Sequence, residues 1–456
     1  MKREILFVNP WIHDFAAYDF WAKPLGLLHL AAVVRRNGFP VRLVDCLDGS
    51  RLPGPGAGGT GKTKRKGDGS GHFPKEKIPR PGALRDIPRT FRRYGLPPPA
   101  VRDIMAGIPA PALILVTAMM TYWYTGVRET INLLREVFPG VPVILGGNYA
   151  SLLPDHARRH AGADRVVTGR GEAALPGLFR EFMGEDLSFI PLGERPDDAP
   201  CPAFDLYPRL EQVSLLTSRG CPYRCTYCAS AFLGGPFTAR DPIAVVDEVA
   251  HWKRTRGVRH FAFYDDALLW RSAERAVPMM EEIIRRNLEC AFHCPNGLHL
   301  REVTEKTARL MRKSGFRTIR FGFETADLRR QVETGGKVTS DETKEAVGHL
   351  RRAGYGREDI GLYLLCGLPG QSAGEVREGI AFIENCGARP ILAEYSPIPR
   401  TALWPEAVAA SPFDIAGEPL FQNNTLLPCQ SGTLTLADYR ELKALTRQGP
   451  AGKAGP

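Results

Sequence analysis

The chain has 456 residues, of which 43% are hydrophobic and 24% charged, with a net charge of +10 and ten cysteines. This length exceeds a single hydrophobic core and implies two or three domains, and the composition is that of a soluble globular protein. No apolar run approaches the ~18 residues that cross a bilayer, and thirteen Lys/Arg against four Asp/Glu fall between Arg51 and Asp103, so the basicity belongs to one segment rather than to the fold.

The opening MKREILFVNP reads as a buried strand at Ile5–Val8, not as a signal peptide. A cytoplasmic protein is expected, in which cysteines serve as thiols or metal ligands rather than disulfides. A helix follows at Pro24–Arg36, stopped by Gly38, then a strand at Val41–Val44. Gly49–Ala100 breaks this pattern with dense Gly, Pro, Lys and Arg. Within it, Gly56–Thr63 satisfies G-x4-G-K-S/T, but no strand feeds it and no helix can open from the Lys/Gly-rich stretch that follows, so a nucleotide site is not expected. Ile87–Gly95 interleaves basic and aromatic residues, as an RNA or anion contact would. A solvated basic loop over the sheet is the favoured reading.

The pattern resumes with a strand at Ala112–Val116, a helix at Val127–Phe138, and a strand at Val141–Leu145 ending in Gly146-Gly147. A short helix at Asp155–His160 and a strand at Arg165–Val167 complete it. Strands alternating with helices predict a Rossmann-like doubly wound parallel sheet, which binds ligands beyond the carboxyl ends of its strands. After a proline-rich linker, six strand–helix units predict a partial (β/α)6 TIM barrel. Their strands are Val213–Thr217, Arg259–Tyr264, Glu289–Cys294, Thr318–Phe323, Gly361–Leu365 and Ile391–Tyr395. The fold class expected is therefore α/β, with a short C-terminal extension. Domains are expected at 1–185 (with a basic insertion at 49–103), 211–405 and 406–456, with a linker at 186–210. The tail ending GPAGKAGP reads as mobile.

Thr217–Ser230 reads TSRGCPYRCTYCAS, with Cys221, Cys225 and Cys228 separated by three and then two residues. Buried structural thiols suit it poorly, because glycine, proline and polar residues crowd the stretch. Structural zinc wants four protein ligands, usually as paired short spacings, and no second pair is evident. Thiolates in a short loop suit an iron–sulfur cube, in which three cysteines hold three irons and leave the fourth open to a substrate or cofactor. Cys290 and Cys294 lie four apart on one face of a strand and read as buried thiols rather than as a second cluster.

This C-x3-C-x2-C stretch, directly after a strand and with Tyr227 before the third cysteine, resembles the signature of the radical SAM superfamily. The resemblance implies a 4Fe–4S cluster on Cys221, Cys225 and Cys228 whose open iron chelates S-adenosylmethionine. One electron from the reduced cluster then cleaves the sulfonium and releases a 5′-deoxyadenosyl radical. It implies cofactor contacts from Tyr227 and from residues at the strand ends. Asp265 and Asp266 follow the second barrel strand, and Gly322, Glu324 and Thr325 close the fourth, resembling G-x-E-S. Gly367 lies in a turn after the fifth that resembles G-L-P-G-E/Q-S/T. Ser396–Pro399 closes the sixth, and Arg400 stands where related sequences often have glycine. The resemblance spans residues 212–401.

A doubly wound sheet ahead of such a barrel resembles the cobalamin-binding radical SAM class. The matching residues are Thr117 and Thr121 after the third strand, Gly146, Gly147 and Ser151 after the fourth, and Gly169–Glu172 after the fifth. They imply a corrinoid whose nucleotide tail slides past small side chains, since glycine has none to block it. The histidine motif D-x-H-x-x-G is absent, and neither His13 nor His29 fits it, so cobalt would be held without histidine. The activity implied is cobalamin-dependent methyl transfer or carbon rearrangement, with a reductant such as flavodoxin or ferredoxin. Two alternatives stay open: a cobalamin-free radical SAM enzyme limited to hydrogen abstraction, and a basic RNA-binding module with a structural or redox cluster. Nucleic acid is the less favoured partner, because the chain after Arg400 shows no basic β-barrel domain. No membrane association is expected.

Overall fold

Runs of Val, Ile, Leu and Phe bounded by Gly and Pro become the buried strands of two sheets. The computed structural model describes residues 3–51, 65–188 and 196–448, in two units divided between Val213 and Ser214. The Gly56–Thr63 motif, part of the proline-rich linker and the C-terminal tail lie outside the described residues.

The first unit carries five strands: β1 (Ile5–Asn9), β2 (Val41–Asp45), β3 (Leu113–Val116), β4 (Val143–Leu145) and β5 (Arg165–Val166). All pair in parallel, in the order β2-β1-β3-β4-β5. Helices on both faces leave Ile5, Leu6, Phe7 and Val8 with no exposed surface, as a central parallel strand requires. This doubly wound order reverses between β1 and β3, and ligands bind at such a switch point. Asn9 and Thr117 lie there.

The described part of the basic segment is not all loop. Lys75–Lys77 and Arg92–Tyr94 join Ile12–Asp14 in a three-stranded antiparallel sheet. Its charge is partly spent internally, since Arg93 pairs with both Glu76 and Glu129. Trp11, buried at its edge, donates its indole N–H to Leu96 O at 2.7 Å. Pro98–Ala106 is a helix begun by consecutive prolines, which suit a first turn whose N–H groups have no helical partner. It is the crossover connection between β2 and β3.

The second unit is built on β6 (Gln212–Leu215), β7 (His260–Phe263), β8 (Ala291–His299), β9 (Phe316–Glu324), β10 (Ile360–Cys366) and β11 (Arg389–Glu394). These lie in sequential order in one sheet, and β7 to β11 pair in parallel. Each strand returns through a helix, the arrangement of a six-stranded partial barrel. Phe261, Phe263, Phe292 and Phe316 interleave in its core. Helix starts are fixed by side chains: Thr339 and Ser372 each complete a capping box. The weakly patterned C-terminal region contains Trp404–Ala410 and Leu436–Gln448 as helices. No helix among the described residues is long and apolar enough to cross a membrane.

Candidate functional site

Immediately after β6, Ser218–Arg219 pairs with Thr238–Ala239 in a two-residue clasp that closes the loop between them. Its neck needs glycine: Gly220 has φ +74°, and a β-carbon there would lie 2.9 Å from Pro236 O. Opposite it, a β-carbon on Gly234 would come 2.7 Å from Gly220 Cα. The neck throws out Cys221, Cys225 and Cys228, with Cys228 exposed and the other two half-buried. Cys228 N donates to Cys225 O at 3.1 Å, and Ser230 N donates to Cys228 Sγ at 3.4 Å. Thr226 ties the loop down, its N–H to Thr334 O at 3.3 Å and its hydroxyl to Glu333 O at 3.1 Å.

Glu324 ends β9 with φ +73°, a conformation that costs a non-glycine residue energy and persists only where its surroundings hold it. Its carboxylate is buried and paired with Lys337 Nζ at 3.0 Å. A β-carbon at Gly322 would collide with both Glu324 Oε1 and Lys337 Nζ, so only glycine leaves room for this pair across the strand. Tyr227 packs against Glu324 and Cys225, and burial beside these anions pushes its hydroxyl well up. Gly335, with φ +115°, lies so close to the loop that a β-carbon would be 3.0 Å from Cys225 Cα.

Asp266 lies beside Ser230, and its charge is felt at Cys221. Asp265 points elsewhere. Its buried carboxylate accepts from Thr217 N at 2.9 Å, Thr217 Oγ1 at 2.7 Å and Ser218 Oγ at 2.6 Å, anchoring the base of the cysteine loop. Thr325 is likewise occupied: its hydroxyl accepts from Asp327 N at 3.1 Å, where the next helix begins. Gly367, at φ +93°, serves the turn after β10, which Gln371 closes by accepting from Gly367 N at 2.8 Å. The geometry thus gathers Cys221, Cys225, Cys228, Tyr227, Asp266, Gly322 and Glu324. Asp265, Thr325 and Gly367 stand behind them as supports. Sequence reasoning missed Lys337; the Gly335-Gly336 pair ahead of it was the available signal.

Burial pushes the Cys221 thiol up to about 11, the nearby acids adding to it, and raises Cys225 against the pull of Lys337. No three His, Cys, Asp or Glu among the described residues converge on a point that a single ion could occupy. Three thiolates without a fourth protein ligand are the donor set of a cube, which meets each thiolate at a different iron, rather than of a structural zinc. Cys290 and Cys294 are buried in the core, away from this loop.

In the first unit, Gly147 has φ +94°, and a β-carbon there would collide with Ala118 O and lie 2.8 Å from Ala118 N. Its glycine is needed by the turn itself. Gly146 differs, since a β-carbon there meets nothing within 4 Å. Ser151 ties the neighbouring loops, its hydroxyl donating to Gly147 O at 3.0 Å and accepting from Gly169 N at 2.9 Å. Thr121 is buried and Thr117 half-buried. Between them Met119 and Met120 are 45% and 37% exposed. Two exposed methionines after β3, next to the switch point, and a glycine with open space after the adjacent β4 fit a large apolar-edged macrocycle. His13 lies 2.7 Å from Glu129, and His29 3.4 Å from Glu172.

Residues 215–383 match the family model of the radical SAM superfamily, and residues 98–179 that of the B12 binding domain. The chain is similar to an uncharacterized methyltransferase of Pyrococcus horikoshii, 25% identical over 326 residues, covering 64% of this chain and 68% of that protein. It is similar also to cytidylyl-2-hydroxyethylphosphonate methyltransferase of Streptomyces wedmorensis, 22% identical over 453 residues, covering 84% and 78%. Among solved structures it shares the fold of TsrM from Kitasatospora setae, a radical S-adenosylmethionine methyltransferase with cobalamin and a 4Fe–4S cluster bound. That match has a TM-score of 0.64 and 20% identity, over 90% of this chain and 78% of that one. It shares the fold of OxsB, a cobalamin-dependent S-adenosylmethionine radical enzyme, with a TM-score of 0.60 and 12% identity over 98% and 61%.

Proposed function

The chain belongs to the radical SAM superfamily and carries an N-terminal cobalamin-binding-like domain, and on that premise we propose that it moves a methyl group from S-adenosylmethionine to an acceptor with the help of a corrinoid. One observation carries the reading: the three-cysteine loop is held against the buried Glu324–Lys337 pair at a strained strand end. When bound, the cluster would supply the electron that cleaves one S-adenosylmethionine at its 5′-carbon–sulfur bond, leaving that methyl on methionine, and the corrinoid would relay the methyl group of a second S-adenosylmethionine.

The residues of this chain do the rest. Cys221, Cys225 and Cys228 would hold the iron as thiolates. Glu324 and Asp266 would contact the cofactor's amino group, and the bareness of Gly322 leaves Glu324 and Lys337 their place. Lys337 pairs with Glu324 and holds its carboxylate in place. Tyr227 covers the pair and helps to exclude water. Asp265 fixes the loop's root through Thr217 and Ser218. In the first unit, Gly146 gives the corrinoid's tail its passage, and Ser151 holds the two loops beside it. The ten free cysteines suit a reducing cytoplasm, where a flavodoxin or ferredoxin would supply the electron.

Anaerobic reconstitution tests the proposal. About four irons per chain and one retained corrinoid are expected. Protein that fills with iron but retains no corrinoid would instead favour the hydrogen-abstraction alternative.

A further inference from the structure

His299 closes β8 and is 2% exposed. Its ring stacks on Tyr223, with centroids 3.8 Å apart and planes 13° from parallel. Tyr223 lies between Cys221 and Cys225 and is held by a hydrogen bond from its hydroxyl to Glu302 at 3.2 Å. In register, His299 faces Gly322 of β9, the residue whose bareness admits Glu324 and Lys337. The ring bonds to the backbone of Asp266. Its Nδ1 is buried with no hydrogen-bond partner, an uncommon state for a polar atom and one that calls for an explanation.

We propose that His299 is a further cofactor-contacting residue, whose Nδ1 accepts a hydrogen bond from an O–H or N–H of the adenosyl group of S-adenosylmethionine. The proposal rests on reading the second unit as the S-adenosylmethionine-cleaving one. The ring's contacts tie it to that site: to the cysteine loop through Tyr223, to the β7 end through Asp266, and to the β9 end through Gly322. Lys337, whose charge acts on the ring, bonds to Glu324 and leaves Nδ1 without a partner. Burial first, and Lys337 second, hold the ring's pKa down to about 3, so the ring is neutral and Nδ1 is an acceptor. Since the open iron takes the methionine amino and carboxylate groups, the cofactor's remaining donors are the ribose hydroxyls and the adenine amino group.

The test is equilibrium binding of S-adenosylmethionine to anaerobic, cluster-loaded protein, with iron content measured alongside. His299→Phe keeps a ring over Tyr223 and loses the acceptor; His299→Asn restores an amide oxygen near the Nδ1 position. His299→Phe should bind about tenfold more weakly with full iron, and His299→Asn should recover most of the loss. S-adenosylmethionine analogues lacking the ribose 2′- or 3′-hydroxyl, or the adenine amino group, identify the donor: for the one that lacks it, wild type and His299→Phe should bind alike. Wild-type affinity in His299→Phe, or an equal loss with every analogue, would overturn the proposal. If His299→Phe loads iron poorly, His299→Asn decides, with binding within about threefold of wild type supporting the proposal and a tenfold loss overturning it. Failure of wild-type loaded protein to bind S-adenosylmethionine at all would sink the reading of the site rather than the role of His299.

Discussion

Gly146→Trp and Gly147→Ala should separate a ligand's passage from the turn that shapes it. A side chain at Gly146 enters empty space with an ordinary backbone φ. Stability should therefore change by no more than about 0.5 kcal/mol, as for other open sites. In corrinoid-loaded protein the indole would compete with the nucleotide tail. Overpacking of about 1–3 kcal/mol corresponds to roughly 5- to 150-fold weaker binding. Gly147→Ala is the reverse case. Its φ of +94° and the collision with Ala118 O act together. A left-handed residue costs about 1–2 kcal/mol and overpacking adds about 1–3, so a loss of about 2–5 kcal/mol is expected. A bulky residue at Gly147 would thus break the turn before it tested any passage. The assays are urea unfolding by circular dichroism and equilibrium binding of hydroxocobalamin by absorbance. Wild-type corrinoid affinity in Gly146→Trp would refute the placement of the tail, and wild-type stability in Gly147→Ala would refute the collision.

Replacing any one of Cys221, Cys225 or Cys228 by Ala should abolish the cluster, read as iron per chain and visible absorbance; an intact cluster in the triple variant would move the site elsewhere. Lys337→Met should leave Glu324 as a buried, unpaired carboxylate, at a cost of about 3–5 kcal/mol, and should weaken S-adenosylmethionine binding more than iron loading. Equal loss of both would make Lys337 a general scaffold residue. His156 has its pKa lowered to about 4, by burial first and then by the charges of His160 and Arg159, while the Tyr149 hydroxyl bonds its Nδ1 at 2.7 Å. The unfolded chain, with a histidine pKa near 6.5, then binds more protons, so stability should fall as pH drops from about 6.5 to 4. After discounting for solvent screening, the loss should be about 1–2 kcal/mol. His156→Gln should remove that part of the pH dependence in urea unfolding, and an unchanged dependence would assign it to other groups.

The alternation of strands and helices was legible because parallel strands are apolar on both faces and need no partner to be recognised. β1 and β10 were read to within two residues of their ends. The three cysteines stand out in sequence by their spacing and Glu324 by the G-x-E-S resemblance, and the structure brings Glu324 and Cys225 together beside Tyr227. Other features depend on what a residue meets in space. Asp265 and Asp266 are neighbours in sequence, but only the structure turns the first toward Thr217 and Ser218. Gly146 and Gly147 look equivalent in sequence, and only the position of Ala118 tells them apart. Lys337 lies thirteen residues beyond Glu324, and its pairing depends on the helix and glycine turn between them. The basic segment was read as a loop because Lys75–Lys77 and Arg92–Tyr94 carry charge where strands are usually recognised by apolar alternation. Its strands owe their order to Ile12–Asp14, some sixty residues earlier.

The central claim is tested most directly with methyl-labelled S-adenosylmethionine, supplied to reduced, cluster-loaded protein with and without hydroxocobalamin. The account predicts that label passes to the bound corrinoid only when the corrinoid is present. It also predicts that S-adenosylmethionine perturbs the magnetic spectrum of the reduced cluster, and that Glu324→Gln weakens this perturbation while the iron content is kept. An unperturbed spectrum, or label that never leaves S-adenosylmethionine in protein that holds both cofactors, would contradict it.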